Sequence, residues 1–251
     1  MKKLTLKLVL LTALVVAFAS CKKDPDYSLI LAPAEISTTF GGVHLIKAEA
    51  NDALKAEKVF FTWSSKNPEV ASVVAKPEGG EVTANRIGET EITYATNDKK
   101  IAISKSVKVT VVPRTNLLNG YYFKVGASES DIQGQLPSGF SKNTAESTNT
   151  HLVYTSDNKK ITKLIYGMKN GKLENLYVIL SEDSDNEAIK YLEERFFKTN
   201  KIDADNILYY KNTGVTGNTF PINSVAGIFT NLKIGDKTYP LGVKVMDGAG
   251  F

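Results

Sequence analysis

The residue types able to do chemistry in this chain are few, and their spacing removes most reactions at once. Two histidines occur, His44 beside Gly41-Gly42 and His151 after a polar loop. The strand pattern places them in different domains, which argues against a shared zinc site, because zinc needs three or four ligands gathered at one point. Each reads as a surface or strand-edge histidine. No G-x-S-x-G elbow, H-E-x-x-H helix or phosphate-binding glycine loop occurs. Ser138, in Pro137-Ser138-Gly139-Phe140, lacks the glycine spacing of a nucleophile elbow and belongs to a turn. The acidic run Glu182-Asp183-Ser184-Asp185-Asn186-Glu187 suggests calcium, but counting from Asp183 the position that needs glycine holds Ala188. Acids at a helix start are favoured by the dipole alone, so the run reads as a helix N-terminus. A glycosidase carboxylate pair is not recognisable from sequence spacing. Glu174 is the one acid inside a well-marked strand, and it reads as an exposed strand end near Lys163 and Gly167. The expectation is a non-catalytic protein with no metal and no cofactor.

One residue sits in a context that points to a definite covalent modification. Cys21 is the sole cysteine. Lys2, Lys3 and Lys7 precede an apolar run from Leu8 to Phe18, and Phe18-Ala19-Ser20-Cys21 follows. The run is shorter than the ~20 residues a membrane helix needs and ends in small residues, as a cleaved export signal does. A cysteine in that place resembles the lipobox of bacterial lipoproteins. The resemblance implies cleavage before Cys21, a diacylglycerol on its sulfur and an amide-linked acyl group. Each buried methylene contributes about 0.8 kcal/mol, so two or more chains anchor stably. Residues 1–20 are thus expected to be a signal peptide, and 21–27 the lipidated cysteine with a short polar tether. Three of the 31 basic residues lie before Cys21, leaving 28 against 27 acids. That balance, with no basic run longer than a pair, gives no case for nucleic-acid binding.

The elements that must position any site begin at about Ser28. Val59, Phe61 and Trp63 alternate with polar residues, as do Thr90, Ile92 and Tyr94, and then Val107, Val109 and Val111. Gly41-Gly42, Pro68, Gly79-Gly80 and Gly88 punctuate these runs. Short alternating strands separated by turn residues predict a β-sandwich over 28–113.

Phe61-Thr62-Trp63-Ser64-Ser65-Lys66-Asn67-Pro68-Glu69-Val70-Ala71-Ser72-Val73 resembles the central signature of the group 2 bacterial immunoglobulin-like family. Gly80-Glu81-Val82-Thr83-Ala84 and Gly88-Glu89-Thr90-Glu91-Ile92-Thr93 continue it in order. The resemblance covers about a third of the chain and departs at Arg86-Ile87, where small residues are commoner. It implies an immunoglobulin-like module with no shared catalytic residues, of the kind that spaces or presents a neighbour. Trp63 then reads as core rather than as a sugar-stacking platform.

Pro113-Arg114-Thr115-Asn116 marks the boundary, and residues 116–251 read as an α+β domain with a mostly antiparallel sheet and one main helix. Residues 126–150 read as long loops around one or two strands. Asn170-Gly171 predicts a hairpin that pairs Met168 with Leu173, Leu164 with Tyr177 and Ile165 with Leu176, and sets Glu174 opposite Gly167. Ser184 with Glu187 predicts a capping box. Ala188, Ile189, Leu192 and Phe196 then form the apolar stripe, with Lys190, Glu193 and Glu194 pointing elsewhere. Further strand-like runs are expected at Ile207 to Tyr210, Ile222 to Asn231, Leu232 to Ile234 and Tyr239 to Met246, with a turn at Gly235-Asp236.

Tyr121-Tyr122-Phe123 and Tyr209-Tyr210 put aromatics on both faces of a strand. Tyr121, Tyr122, Tyr209 and Tyr210 are therefore the candidate ligand-binding residues, since rings with a polar tip suit glycan or protein contacts. The whole reads as a mostly β, lipid-anchored outer-membrane protein, at the cell surface or on the periplasmic face. Its expected function is surface binding or adhesion with a glycan or protein ligand. An accessory subunit of an outer-membrane complex is the alternative, and a glycan-processing enzyme the third reading.

Overall fold

The computed structural model describes residues 25–212, 220, 221 and 223–249. Cys21 and the expected signal lie outside the described residues, as do Lys22 to Asp24 of the tether and Ile222.

The N-terminal half is built from β1 (Leu29–Ala32), β2 (Glu35–Thr39), β3 (Val43–Ala50), β4 (Phe61–Ser65), β5 (Ala71–Lys76), β6 (Gly79–Ala84), β7 (Gly88–Thr96) and β8 (Ser104–Val112). A short helix, α1 (Asp52–Ala56), follows β3, and the Asn51 side chain accepts from the Leu54 N–H at 3.0 Å to cap it. The strands form two sheets ordered β1-β3-β6-β5 and β2-β8-β7-β4. In immunoglobulin lettering these are A-B-E-D and A′-G-F-C, so the fold is an immunoglobulin-like sandwich. Only β2 and β8 run parallel within it.

Alternation places Val107, Val109 and Val111 inward from β8, where they meet Ile92, Ile36, Ile46 and Val82. Trp63 is half-buried against this core rather than sealed within it. It stacks on Tyr94 with centroids 4.3 Å apart, and a Cβ on Gly80 of the opposite sheet would fall 2.7 Å from the indole. The glycine is what lets the ring close the gap between the sheets. The polar residues of the W-S-S-x-N-P run make the following turn: Ser65 Oγ donates to the Ala71 carbonyl at 2.6 Å, and the Asn67 N–H donates to Thr90 Oγ1 at 2.9 Å.

The C-terminal half holds α2 (Glu129–Gln133), β9 (Ser141–Lys142), β10 (His151–Thr155), β11 (Ile161–Lys169), β12 (Lys172–Leu180), α3 (Asp185–Arg195), β13 (Phe197–Ile202), β14 (Leu208–Lys211), β15 (Ser224–Ile234) and β16 (Lys237–Asp247). All eight strands join one antiparallel sheet ordered β13-β14-β15-β16-β12-β11-β10-β9. Both faces are covered. One carries Leu164, Tyr166, Leu176, Val243 and Val245 beneath Ala188, Tyr191 and Leu192 of α3, and the other carries a smaller cluster of Val153, Ile165, Tyr209, Phe229 and Tyr239.

Three local expectations are corrected. Met168 does pair with Leu173, but a bulge between Gly167 and Met168 shifts the rest, so Leu164 faces Val178, Ile165 faces Tyr177, and Gly167 faces Asn175. Glu174 is the extra residue of that bulge and pairs with Lys169 at 3.6 Å, not with Lys163. Ser184 makes no side-chain cap, because a 3-10 turn at Glu182–Ser184 leads into α3 and leaves Ser184 outside the extended cap geometry. Its Oγ pairs with Ser181 Oγ at 2.8 Å instead. A capping box does form at α2, between Ser128 and Asp131. Finally, Glu194 was expected to face away from the core and is fully buried, while Ile189 of the predicted stripe is 38% exposed.

Candidate functional site

Two clusters of charge stand out, one sealed and one open. The sealed cluster joins the sandwich to α3. Glu194 accepts from the Arg114 backbone N–H and from Arg114 Nε, each at 3.0 Å, and its other oxygen accepts from Arg195 Nη1. Arg195, 1% exposed, also donates to the Thr115 carbonyl at 2.7 Å. The Ile87 N–H of the sandwich donates to the Glu194 carbonyl at 3.1 Å. Arg86 lies over the Phe197 ring at 4.1 Å, and Arg114 over Phe40 at 4.9 Å. Arg86-Ile87, the departure from the immunoglobulin-like pattern, is therefore where the α+β unit docks. Glu187, free of capping duty, accepts from Thr115 Oγ1 at 2.7 Å and from Lys160 at 2.6 Å. The buried carboxylate and guanidinium of Glu194 and Arg195 are thus satisfied within the protein and hold geometry, while Arg86 stacks on Phe197 with its Nε buried and unbonded.

The open cluster lies at the far side of the sheet. β16 pairs with β12 only over Gly242–Met246, and beyond Gly242 the β15–β16 hairpin continues to Ile234 and Lys237. Its tip reaches the loop that precedes β10, and the two enclose a cleft of about 420 Å3. Val153, Ile165, Ile234 and Tyr239 give the cleft an apolar floor. Thr148, Asn149, Thr150 and His151 form one wall, and Gly235, Asp236 and Lys237 the other. Glu146 sits between the walls. Lys163 donates to its two oxygens at 3.0 and 2.8 Å, and Lys237 approaches to 3.1 Å. The hydrogen bonds from Lys163 lower the pKa of Glu146 from its ordinary value against the opposing effect of burial. Burial pushes the His151 imidazole below its ordinary value, so the ring is neutral at pH 7. One ring nitrogen, Nδ1, shares a hydrogen bond of 3.1 Å with Thr150 Oγ1.

The predicted ligand-binding tyrosines do not line this cleft. Tyr121, Tyr122 and Phe123 lie in no strand, and Tyr121 is buried while Tyr122 packs against the core. Tyr209 is fully buried and donates to Asp203 Oδ2 at 2.8 Å, beside Lys244 at 3.1 Å from the same oxygen. Burial, then this hydrogen bond, drives the Tyr209 pKa far up. Burial would lift the pKa of Asp203, but the Ile207 N–H, Tyr209 and Lys244 outweigh it and hold that carboxylate down. Tyr210 is half-buried on the α3 face. Alternation brought both faces of β14 to a core, because the sheet is covered on each side. His44 bonds Thr38 Oγ1 at 2.8 Å in the sandwich, away from His151. The residues that sequence reading did not single out as a site are Glu146, Asn149, Asp236, Lys237 and Tyr239. They come from two distant loops and a strand, and no local spacing signals their meeting.

Among the described residues there is no group of three or more His, Cys, Asp or Glu that could hold a metal ion. Among them too, no helix is long and apolar enough to cross a membrane.

No family model matches the chain, and no curated protein matches it in sequence. Among solved structures it aligns with human protocadherin-24 EC1-2 at 14% identity and a TM-score of 0.27, over 88% of this chain and 96% of that one. It also aligns with a quinonprotein alcohol dehydrogenase-like protein from Bacteroides thetaiotaomicron at 11% identity and a TM-score of 0.27, over 89% of this chain and 62% of that one. Similarity at this level carries no functional argument, and the fold rests on the strand pairing itself.

Proposed function

We propose that this chain is a lipid-anchored protein of the bacterial outer membrane whose C-terminal domain is a non-catalytic binding or adhesion module. In this reading residues 28–113 are a group 2 bacterial immunoglobulin-like domain that spaces the binding domain, 116–251, from the lipid. The observation that carries the binding role is the cleft around Glu146 and His151, a concave site with an apolar floor and convergent polar groups. The sealed joint at Glu194 supports the spacer role, because it gives the binding domain a fixed seat on the sandwich. Anchoring rests on the small-residue run ending at Cys21. Labelled palmitate fed to cells tests it together with membrane fractionation. The expected result is label on the wild-type chain, and loss of both label and membrane association in Cys21→Ala. A Cys21→Ala chain that stays membrane-bound overturns the anchor.

A further inference from the structure

The chemistry of the cleft specifies what class of ligand it suits. The charges at the cleft cancel once Lys163, which pairs with Glu146 from outside the lining, is counted: Lys163 and Lys237 stand against Glu146 and Asp236. Both lysines are already committed to Glu146, so a phosphate or carboxylate ligand would find no surplus positive charge and would meet the Asp236 carboxylate. A cation would find Glu146 neutralised. The groups that have no protein partner among the described residues are of a different kind. They are the Asn149 side-chain amide, one ring nitrogen of neutral His151, and the Asp236 carboxylate. An amide donates and accepts, a neutral imidazole does one or the other, and a carboxylate accepts. They line the same cleft as the apolar floor of Ile234 and Tyr239, each of which keeps a small exposed fraction. Hydroxyls that donate and accept, an apolar ring face and the absence of net charge satisfy both sides at once.

We propose that this cleft binds a neutral mono- or disaccharide, with Asn149, His151 and Asp236 taking its hydroxyls and the Tyr239 side of the floor taking its ring face. At about 420 Å3 the cleft falls within the range of small-ligand sites, roughly 300–1,000 Å3, which suits a short sugar rather than a long chain. The inference rests on the reading of the C-terminal domain as a binding module, and it supplies that module's ligand class.

Saturation-transfer NMR on the detergent-solubilised full chain tests it. The probes are glucose, galactose, mannose, N-acetylglucosamine, maltose and cellobiose, with inorganic phosphate and N-acetylneuraminic acid as charged comparators. The expected result is transfer to at least one neutral sugar, weakened tenfold or more in Asp236→Ala and in Asn149→Ala. Lys66→Ala, on the sandwich surface, should bind as the wild type does. Circular dichroism melts on each variant separate loss of the site from loss of the fold, and both substituted residues are exposed. No transfer to any neutral sugar at millimolar concentration overturns the proposal. So does undiminished binding in both cleft variants with wild-type melts, or tighter binding of either charged probe. Palmitate labelling of Cys21 is read independently. A labelled, membrane-bound chain that binds no sugar sinks the ligand class alone, whereas sugar binding by an unlabelled chain sinks the anchor alone.

Discussion

Glu194 and Glu146 each accept from two basic side chains, but Glu194 is fully buried at a junction while Glu146 stands 19% exposed in a cleft. The contrast lies in what surrounds them. Around Glu194 backbone N–H groups, arginine forks and aromatic faces close every direction, and planar guanidinium suits that packing because it stacks and donates at once. Around Glu146 the partners are lysines, flexible point charges, and the neighbouring Asn149, His151 and Asp236 keep free hydrogen-bonding capacity. The same carboxylate chemistry thus serves rigidity where it is sealed, and where it is left open it leaves room for the binding proposed above.

The sharpest break of that comparison is Glu194→Ala. It leaves Arg195 buried with its carboxylate partner gone, and the expected loss is about 3–5 kcal/mol in urea unfolding. Glu146→Ala, by contrast, should lose less, about 1–2 kcal/mol, because its carboxylate still meets solvent in the cleft and one partner, Lys237, is more than half exposed. Equal losses in the two variants would mean that burial does not set Glu194 apart from Glu146. Next in size is Arg86→Ala, which removes the cation stacked on Phe197 and should lower stability by about 1–2 kcal/mol, with faster proteolysis between Val112 and Leu117. Tyr209→Phe belongs to the same range: it strips a buried donor from Asp203 and should cost about 1–2 kcal/mol. If Tyr209→Phe instead leaves stability intact and abolishes ligand binding, the tyrosine belongs to a site after all.

Smaller still is the pH response of the cleft. His151 has a folded pKa lowered from 6.5 by burial, so it favours the neutral form and contributes stability above that value. This contribution is lost as pH falls from 6.5 through the lowered value. Glu146, lowered from 4.5 chiefly by Lys163, contributes fully above 4.5 and loses its share as pH falls through its folded value. The charged groups facing these two are Lys163, Lys237 and Asp236. Melts between pH 7 and pH 3.5 should therefore decline in two stages, with His151→Gln removing the upper stage and Glu146→Gln reducing the lower, which Asp131, Glu187 and Asp203 share because their carboxylates are also held down. The smallest effect expected is that of Asp236→Ala on stability, a melt indistinguishable from the wild type, since that exposed carboxylate has no hydrogen-bond or ion-pair partner among the described residues.

Much of the fold was legible in the chain. Valines at every second position of β8 and the Asn170-Gly171 and Gly235-Asp236 turns announced sandwich and hairpins, because period and turn chemistry are local properties. The bulge at Glu174 was not legible, since an extra residue changes register without changing composition. Glu194 was misplaced for a related reason. A helical stripe reports only the face α3 turns to its own sheet, and the sandwich approaches from another side. The oddity at Arg86-Ile87 was visible, but its meaning required the docked α3. The tyrosines misled because alternation marks two faces without saying that both are covered. No spacing announced the cleft, which a loop and a hairpin tip far apart in sequence assemble.

The proposed surface binding or adhesion role, as opposed to a periplasmic accessory one, requires the C-terminal domain to be displayed outside the cell. Protease shaving of intact cells, with detection of residues 151–251, measures this directly. Cleavage of the domain on intact cells is the expected result. Full protection until the outer membrane is opened would contradict it and make the protein a periplasmic accessory subunit instead.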